Sequence, residues 1–113
     1  MLGVLNDLWR YNVKNNSWTW ESGSTIVDQK GIYGEQGNAS IENVPGSRLG
    51  AVGWFDSLKQ EFWLFGGLGY GITHTGMPGS GYLNDLWRYQ VNDSTWTWMS
   101  GNDTINQPHT QNW

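Results

Sequence analysis

The heptapeptide Leu5-Asn6-Asp7-Leu8-Trp9-Arg10-Tyr11 recurs unchanged as Leu83-Asn84-Asp85-Leu86-Trp87-Arg88-Tyr89, an offset of 78 residues. The correspondence continues without insertion: Val13 returns as Val91, Trp18-Thr19-Trp20 as Trp96-Thr97-Trp98, and Ser22-Gly23 as Ser100-Gly101. A chain that carries one supersecondary unit twice folds as a repeat, because such a unit buries its apolar face only against a neighbour.

Each copy divides into two strand-like runs, 5–13 with 17–21 and 83–91 with 95–99. The polar triplets Lys14-Asn15-Asn16 and Asn92-Asp93-Ser94 join them, which is the pattern of a tight β-hairpin. Two more strands are predicted between the copies: Arg48 to Phe55, and Glu61 to Phe65 closing on Gly66-Gly67, with a polar turn between them. Phe62-Trp63-Leu64-Phe65 is apolar without alternation, so this strand is expected to be covered on both faces. The chain reads as all-β: hairpin, long connection, hairpin, long connection, hairpin.

Composition narrows what such a chain can do. With 113 residues it has the length of one ordinary domain. Its 16 Gly and 9 Trp suit many short strands, glycine supplying turns and tryptophan supplying buried area. A formal charge of -4 with only 6 Lys+Arg and no basic cluster argues against a nucleic-acid partner. No apolar run approaches the roughly 20 residues of a membrane-crossing helix, so no membrane association is expected. The absence of cysteine excludes disulfides, thiolate metal sites and cysteine nucleophiles.

Gly66-Gly67, followed by Tyr89 and Trp96 seven positions apart, with the pair repeated as Tyr11 and Trp18, resembles the kelch motif. The resemblance implies a kelch-type β-propeller fragment with three parts. Residues 3–23 would be the outer two strands of one blade, 24–45 an inter-blade loop, and 46–101 one four-stranded antiparallel blade of roughly the 50 residues a kelch repeat takes. Residues 102–113 match nothing in the motif and are read as a tail. Propellers close with about 4 to 8 blades, so the expectation is either self-association or the remainder of a longer propeller chain. The edge of the strand over 5–13 is expected to be unpaired and open to another chain.

In such a blade the long connections, about 24–45 and 68–82, fall on one face. Long connections in compact domains are commonly functional. The candidate ligand-binding residues are therefore Tyr33, Glu35, Asn38, Tyr70, His74 and Tyr82, whose flat rings and hydrogen-bonding groups suit a protein or carbohydrate ligand. The competing reading is that Tyr33, Tyr70 and Tyr82 pin the loops down. Trp9, Trp18, Trp20, Trp63, Trp87, Trp96 and Trp98 are read as core. Trp54 and Trp113 are left open. Asp7 and Asp85 are read as acceptors for backbone groups, and Arg10, Arg48 and Arg88 as their ion-pair partners.

His74 and His109 have no metal-ligand spacing, and no metal or cofactor is expected. Asp28, Glu35 and Glu42 are the carboxylates a hydrolase would draw on, but their spacing selects none of them. The resemblance extends to the catalytic propeller of galactose oxidase, whose copper chemistry needs a cysteine-linked tyrosine that this chain lacks. The function expected is a non-catalytic binding module, with a purely structural repeat and an enzyme fragment as alternatives. Asn-x-Ser/Thr triplets at Asn15, Asn38, Asn92 and Asn102 are the one pointer to an extracellular parent protein.

Overall fold

The computed structural model describes residues 3–73 and 75–106. His74, His109, Trp113 and the remainder of the 102–113 tail beyond Asn106 lie outside the described residues. Seven strands follow one another: β1 (Leu8–Asn12), β2 (Ser17–Ser22), β3 (Arg48–Leu49), β4 (Val52–Asp56), β5 (Glu61–Ile72), β6 (Pro78–Gln90) and β7 (Thr95–Ser100). The described residues contain no helix. β1 and β2 form a two-stranded antiparallel sheet, and the other five form a larger one in the order β3-β5-β6-β7, with β4 also on β5. Leu49 stands opposite Leu68 and Val52 opposite Phe65, so β3 and β4 hold one register along β5. The predicted strand from Arg48 is thus a single lane, interrupted at Gly50, which takes a left-handed φ of 72°.

The polar spacers make the turns. Asn16, Gln60 and Ser94 occupy the left-handed region at φ 56°, 56° and 55°, each just before the returning strand. Short polar side chains tolerate this better than branched ones, and neighbouring carboxyl and amide groups hold the turn. Lys14 N donates to Asn12 Oδ1 at 2.9 Å, while Leu58 N and Lys59 N both donate to Asp56 Oδ1, at 3.1 and 3.2 Å.

The sequence repeat is also a repeat of hydrogen bonds. Trp9 Nε1 donates to Asp7 Oδ2 at 2.9 Å and Trp87 Nε1 to Asp85 Oδ2 at 2.8 Å. Ser24 N donates to Asn6 Oδ1 at 2.8 Å and Asn102 N to Asn84 Oδ1 at 2.9 Å. A bulge falls between Leu8 and Trp9 and again between Leu86 and Trp87. The equivalence reaches past Gly101. Asp28 N bonds Val4 O, and Asn106 N bonds Tyr82 O, both at 2.7 Å. Asp28 and Asn106 share a positive φ, 59° and 58°, and each side chain accepts a backbone N–H, from Val4 and Tyr82 respectively. Residues 102–106, which match nothing in the motif, therefore repeat the geometry of 24–28. Asp and Asn do the same job there through an oxygen that both possess.

The connection expected over 68–82 is mostly strand. Leu68 pairs with Tyr82, Gly69 with Gly81, Tyr70 with Ser80, Gly71 with Gly79 and Ile72 with Pro78. The glycines that suggested a loop serve close approach instead. A Cβ on Gly69 would come within 2.1 Å of Ser47 O, one on Gly71 within 2.7 Å of Ile105 Cγ2, and one on Gly81 within 2.5 Å of Asn106 Oδ1. Alternation then puts Leu68, Tyr70, Ser80 and Tyr82 on the opposite face. The 24–45 segment does lack long strands. It runs along β7, with Gly37 N donating to Trp98 O at 2.8 Å and Asn43 Nδ2 to Trp96 O at 3.1 Å, and so covers that sheet edge.

The core lies where the two sheets meet. Trp87, Tyr89 and Trp96 are buried, with Leu8, Phe62, Leu64, Val91 and Trp98 packed against them. Tyr89 Oη donates to Glu21 O at 3.1 Å, and Trp96 Nε1 to Ser22 Oγ at 3.0 Å, tying β2 to the larger sheet. The expectation that all seven strand tryptophans are core does not hold. Trp9, Trp18 and Trp20 are exposed, at 49%, 65% and 49%, and Tyr11 is exposed with them. Trp63 and Trp98 are half-buried. The cause is the number of neighbours: β6 has β5 on its edge and the β1–β2 sheet against its face, while β1 pairs with β2 alone. Trp54, left open by the sequence, is exposed and stacks on Trp63 with a 6.2 Å centroid separation.

Candidate functional site

Asp85 lies within β6, fully buried. Arg48 Nη1 donates to its Oδ1 at 2.7 Å and Arg48 Nη2 to its Oδ2 at 3.0 Å, a two-pronged pair that matches the guanidinium plane to the carboxylate. Tyr33 Oη, at 2.5 Å, and Trp87 Nε1 also donate to Oδ2. Arg48 further donates to the carbonyls of Gly66 and Gly46, at 3.0 and 3.1 Å. The glycine doublet, the arginine, the aspartate and the tryptophan of the sequence pattern thus form one satisfied polar knot.

Of the three arginines expected on the repeated aspartates, only Arg48 is there. Arg10 pairs with Glu21 at 3.0 Å and Arg88 faces Glu61 at 3.8 Å. Buried and half-buried positions alternate along β6, putting Asp85, Trp87 and Tyr89 on one face and Arg88 on the other. An arginine next to a tryptophan in the sequence therefore cannot reach the aspartate beneath that tryptophan.

Burial and the Asp85 carboxylate push the Tyr33 phenol well above its ordinary value, with Arg48 opposing. Burial raises Tyr89 too. A raised folded-state pKa means the folded chain holds these protons after the unfolded chain has released them. The associated stability is therefore complete below the ordinary tyrosine pKa near 10 and is lost as pH rises above it. Urea unfolding across pH 8 to about 11 should show stability falling. Tyr33→Phe should flatten that fall without abolishing it, since Tyr89 remains, at a cost of about 1 kcal/mol at neutral pH for the lost hydrogen bond.

The structure divides the predicted ligand-binding residues among different duties. Tyr33 points inward, its ring 4.8 Å from Trp87 and 5.1 Å from Trp98, so it pins the 24–45 segment. Glu35 and Asn38 bond one another in an exposed turn near β7, Asn38 Nδ2 to Glu35 Oε2 at 3.0 Å. Tyr70 and Tyr82 share one face of the β5–β6 ribbon, Tyr70 half-buried and Tyr82 71% exposed. His74 lies outside the described residues. Among the described residues no three His, Cys, Asp or Glu side chains gather as metal ligands would, and Asp28 is engaged by Val4 N.

A second feature escaped the sequence reading. A groove of about 360 Å³ lies between Leu8, Trp9, Arg10 and Tyr11 of the small sheet and Phe55, Phe62 and Val91 of the large one. Leu8 and Phe62 also line a smaller cavity of about 190 Å³ beside Asp7 and Leu49. The signal was available: an unpaired edge was expected at 5–13, but its aromatic residues were assigned to the core. Comparison of the chain with protein-family models, with curated proteins and with solved structures finds no match.

Proposed function

We propose that the chain is a segment of a kelch-type propeller acting as a non-catalytic binding module, which engages a protein or carbohydrate through the Tyr70–Tyr82 face of the β5–β6 ribbon. The observation that carries this reading is the asymmetry of that ribbon. One face is glycine and packs inward, while the other presents Leu68, Tyr70, Ser80 and Tyr82 on a paired backbone. Tyrosine on such a backbone offers flat apolar area and a hydroxyl at low entropic cost, which suits sugar rings or an extended peptide. Tyr33 is withdrawn from the proposed site because Asp85 occupies its hydroxyl. The fold reading is supported by the sequential antiparallel order β3/β4-β5-β6-β7 and by the second hairpin packed on its face.

The test is a glycan and peptide array probed with the full chain and with Tyr82→Ala. A ligand whose binding falls about tenfold or more in the variant supports the face, that being the loss of one well-packed aromatic anchor. Binding that is indifferent to Tyr82→Ala removes it.

The reading as a structural repeat unit is favoured by a separate observation: the exposed Trp9, Tyr11, Trp18 and Trp20 of the small sheet. An exposed aromatic cluster of this kind marks an association surface, either with other copies or within a longer chain.

A further inference from the structure

The duplication supplies its own template for what belongs beside β1. In the second copy Asp85 is closed by Arg48 and β6 is edged by β5. In the first copy the equivalent Asp7 is exposed, bonds only Trp9 Nε1, and has no cationic partner among the described residues. Among the described residues the equivalent strand β1 pairs with no strand on its outer edge. The apolar groove lies along that edge, floored by Phe55, Phe62 and Leu64. Main-chain groups on the edge, an unneutralised carboxylate at one end and apolar walls between define a seat for strands rather than for a small molecule.

We infer that this groove accepts a partner β-hairpin with the chemistry of residues 46–69, carrying an arginine that closes on Asp7 as Arg48 closes on Asp85. The template fixes the register. Phe62 stands opposite Tyr89, Leu64 opposite Trp87, Phe65 opposite Leu86 and Gly67 opposite Leu83. Moved back by the 78-residue offset, the incoming strand sets its 62-like residue against Tyr11, its 64-like residue against Trp9 and its 65-like residue against Leu8. Main-chain pairing supplies affinity, and the arginine supplies the choice of hairpin, because only a planar two-pronged cation satisfies both oxygens of the carboxylate. Occupancy would cover Trp9 and Tyr11 from the strand edge, as β5 covers Trp87 and Tyr89 from theirs. The inference rests on the duplication and makes no use of the Tyr70–Tyr82 face.

The probe is a synthetic peptide of residues 46–69, titrated onto the full chain and followed by calorimetry and tryptophan emission. Saturable one-to-one binding with a blue shift in emission is expected. Arg48→Ala in the peptide and Asp7→Asn in the chain should each weaken it about tenfold or more, and the two together little further, as expected for one shared charge-assisted contact. The peptide variant leaves the chain untouched, so it reads the contact whatever Asp7→Asn does to folding. No saturable binding overturns the proposal, and so does binding that neither change alters. Self-association of the chain that the peptide fails to displace also overturns it, by assigning the face to another copy.

Discussion

Asp85→Ala should cost about 3–5 kcal/mol of stability in urea unfolding, the range for removing one member of a buried ion pair, whereas Asp7→Ala should cost under about 1 kcal/mol. The two residues are identical in local sequence and each accepts its tryptophan's Nε1 hydrogen bond, so the contrast isolates what surrounds them. Removal of the Asp85 carboxylate strands the Arg48 guanidinium, whose side chain is 5% exposed, in a site from which water is excluded. Tyr33 Oη and Trp87 Nε1 lose their acceptor at the same time. Relief could come only by moving Arg48 out of the knot, which would also release the Gly66 and Gly46 carbonyls. Around Asp7 the group orphaned among the described residues is the exposed Trp9 indole N–H, which water can satisfy. Equal losses for the two variants would mean that the buried knot adds nothing beyond the hairpin it sits on.

Trp87→Ala should destabilise by about 3–5 kcal/mol, as expected when a buried aromatic is truncated and its cavity is left behind. Trp9→Ala should cost about 1 kcal/mol, most of it from lost stacking. Trp87 is fully buried and touches Tyr33 at 4.8 Å and Trp96 at 6.0 Å, so the cavity would open inside the cluster on which both sheets meet. Trp9 is half in solvent and stacks on Trp20 at 6.4 Å. If Trp9→Ala matched Trp87→Ala in urea unfolding, the exposure of the first hairpin in solution would be refuted.

Several elements were legible because their causes are local. The polar triplets at 14–16 and 92–94 set both hairpins. The spacing from Tyr89 to Trp96 emerged as a cross-strand pair with ring centroids 5.0 Å apart. The pairing of Arg48 with Asp85 could be anticipated as chemistry, since a buried carboxylate requires a cation, although two further arginines were equally eligible by composition. Less was legible over 68–82, because glycine signals both turns and close approach, and only the chain lying against it tells the two apart. Ser47 and Ile105, which crowd Gly69 and Gly71, are respectively 22 and 34 residues away in sequence. Of the six ligand-binding candidates the geometry keeps Tyr70 and Tyr82 together and turns Tyr33 inward, because alternation along a paired ribbon, invisible while the segment reads as loop, decides which rings share a face.

The sequence by itself determined the all-β class and the hairpin built on each copy of the heptapeptide. Turn chemistry, the bulge and the tryptophan-to-aspartate bond all act within a few residues and so came out alike twice. Only the tertiary structure decided that Trp87 is dry and Trp9 is wet. Burial depends on what lies across a surface, and seven identical residues in a row carry no information about which copy has a sheet on its face and a strand on its edge.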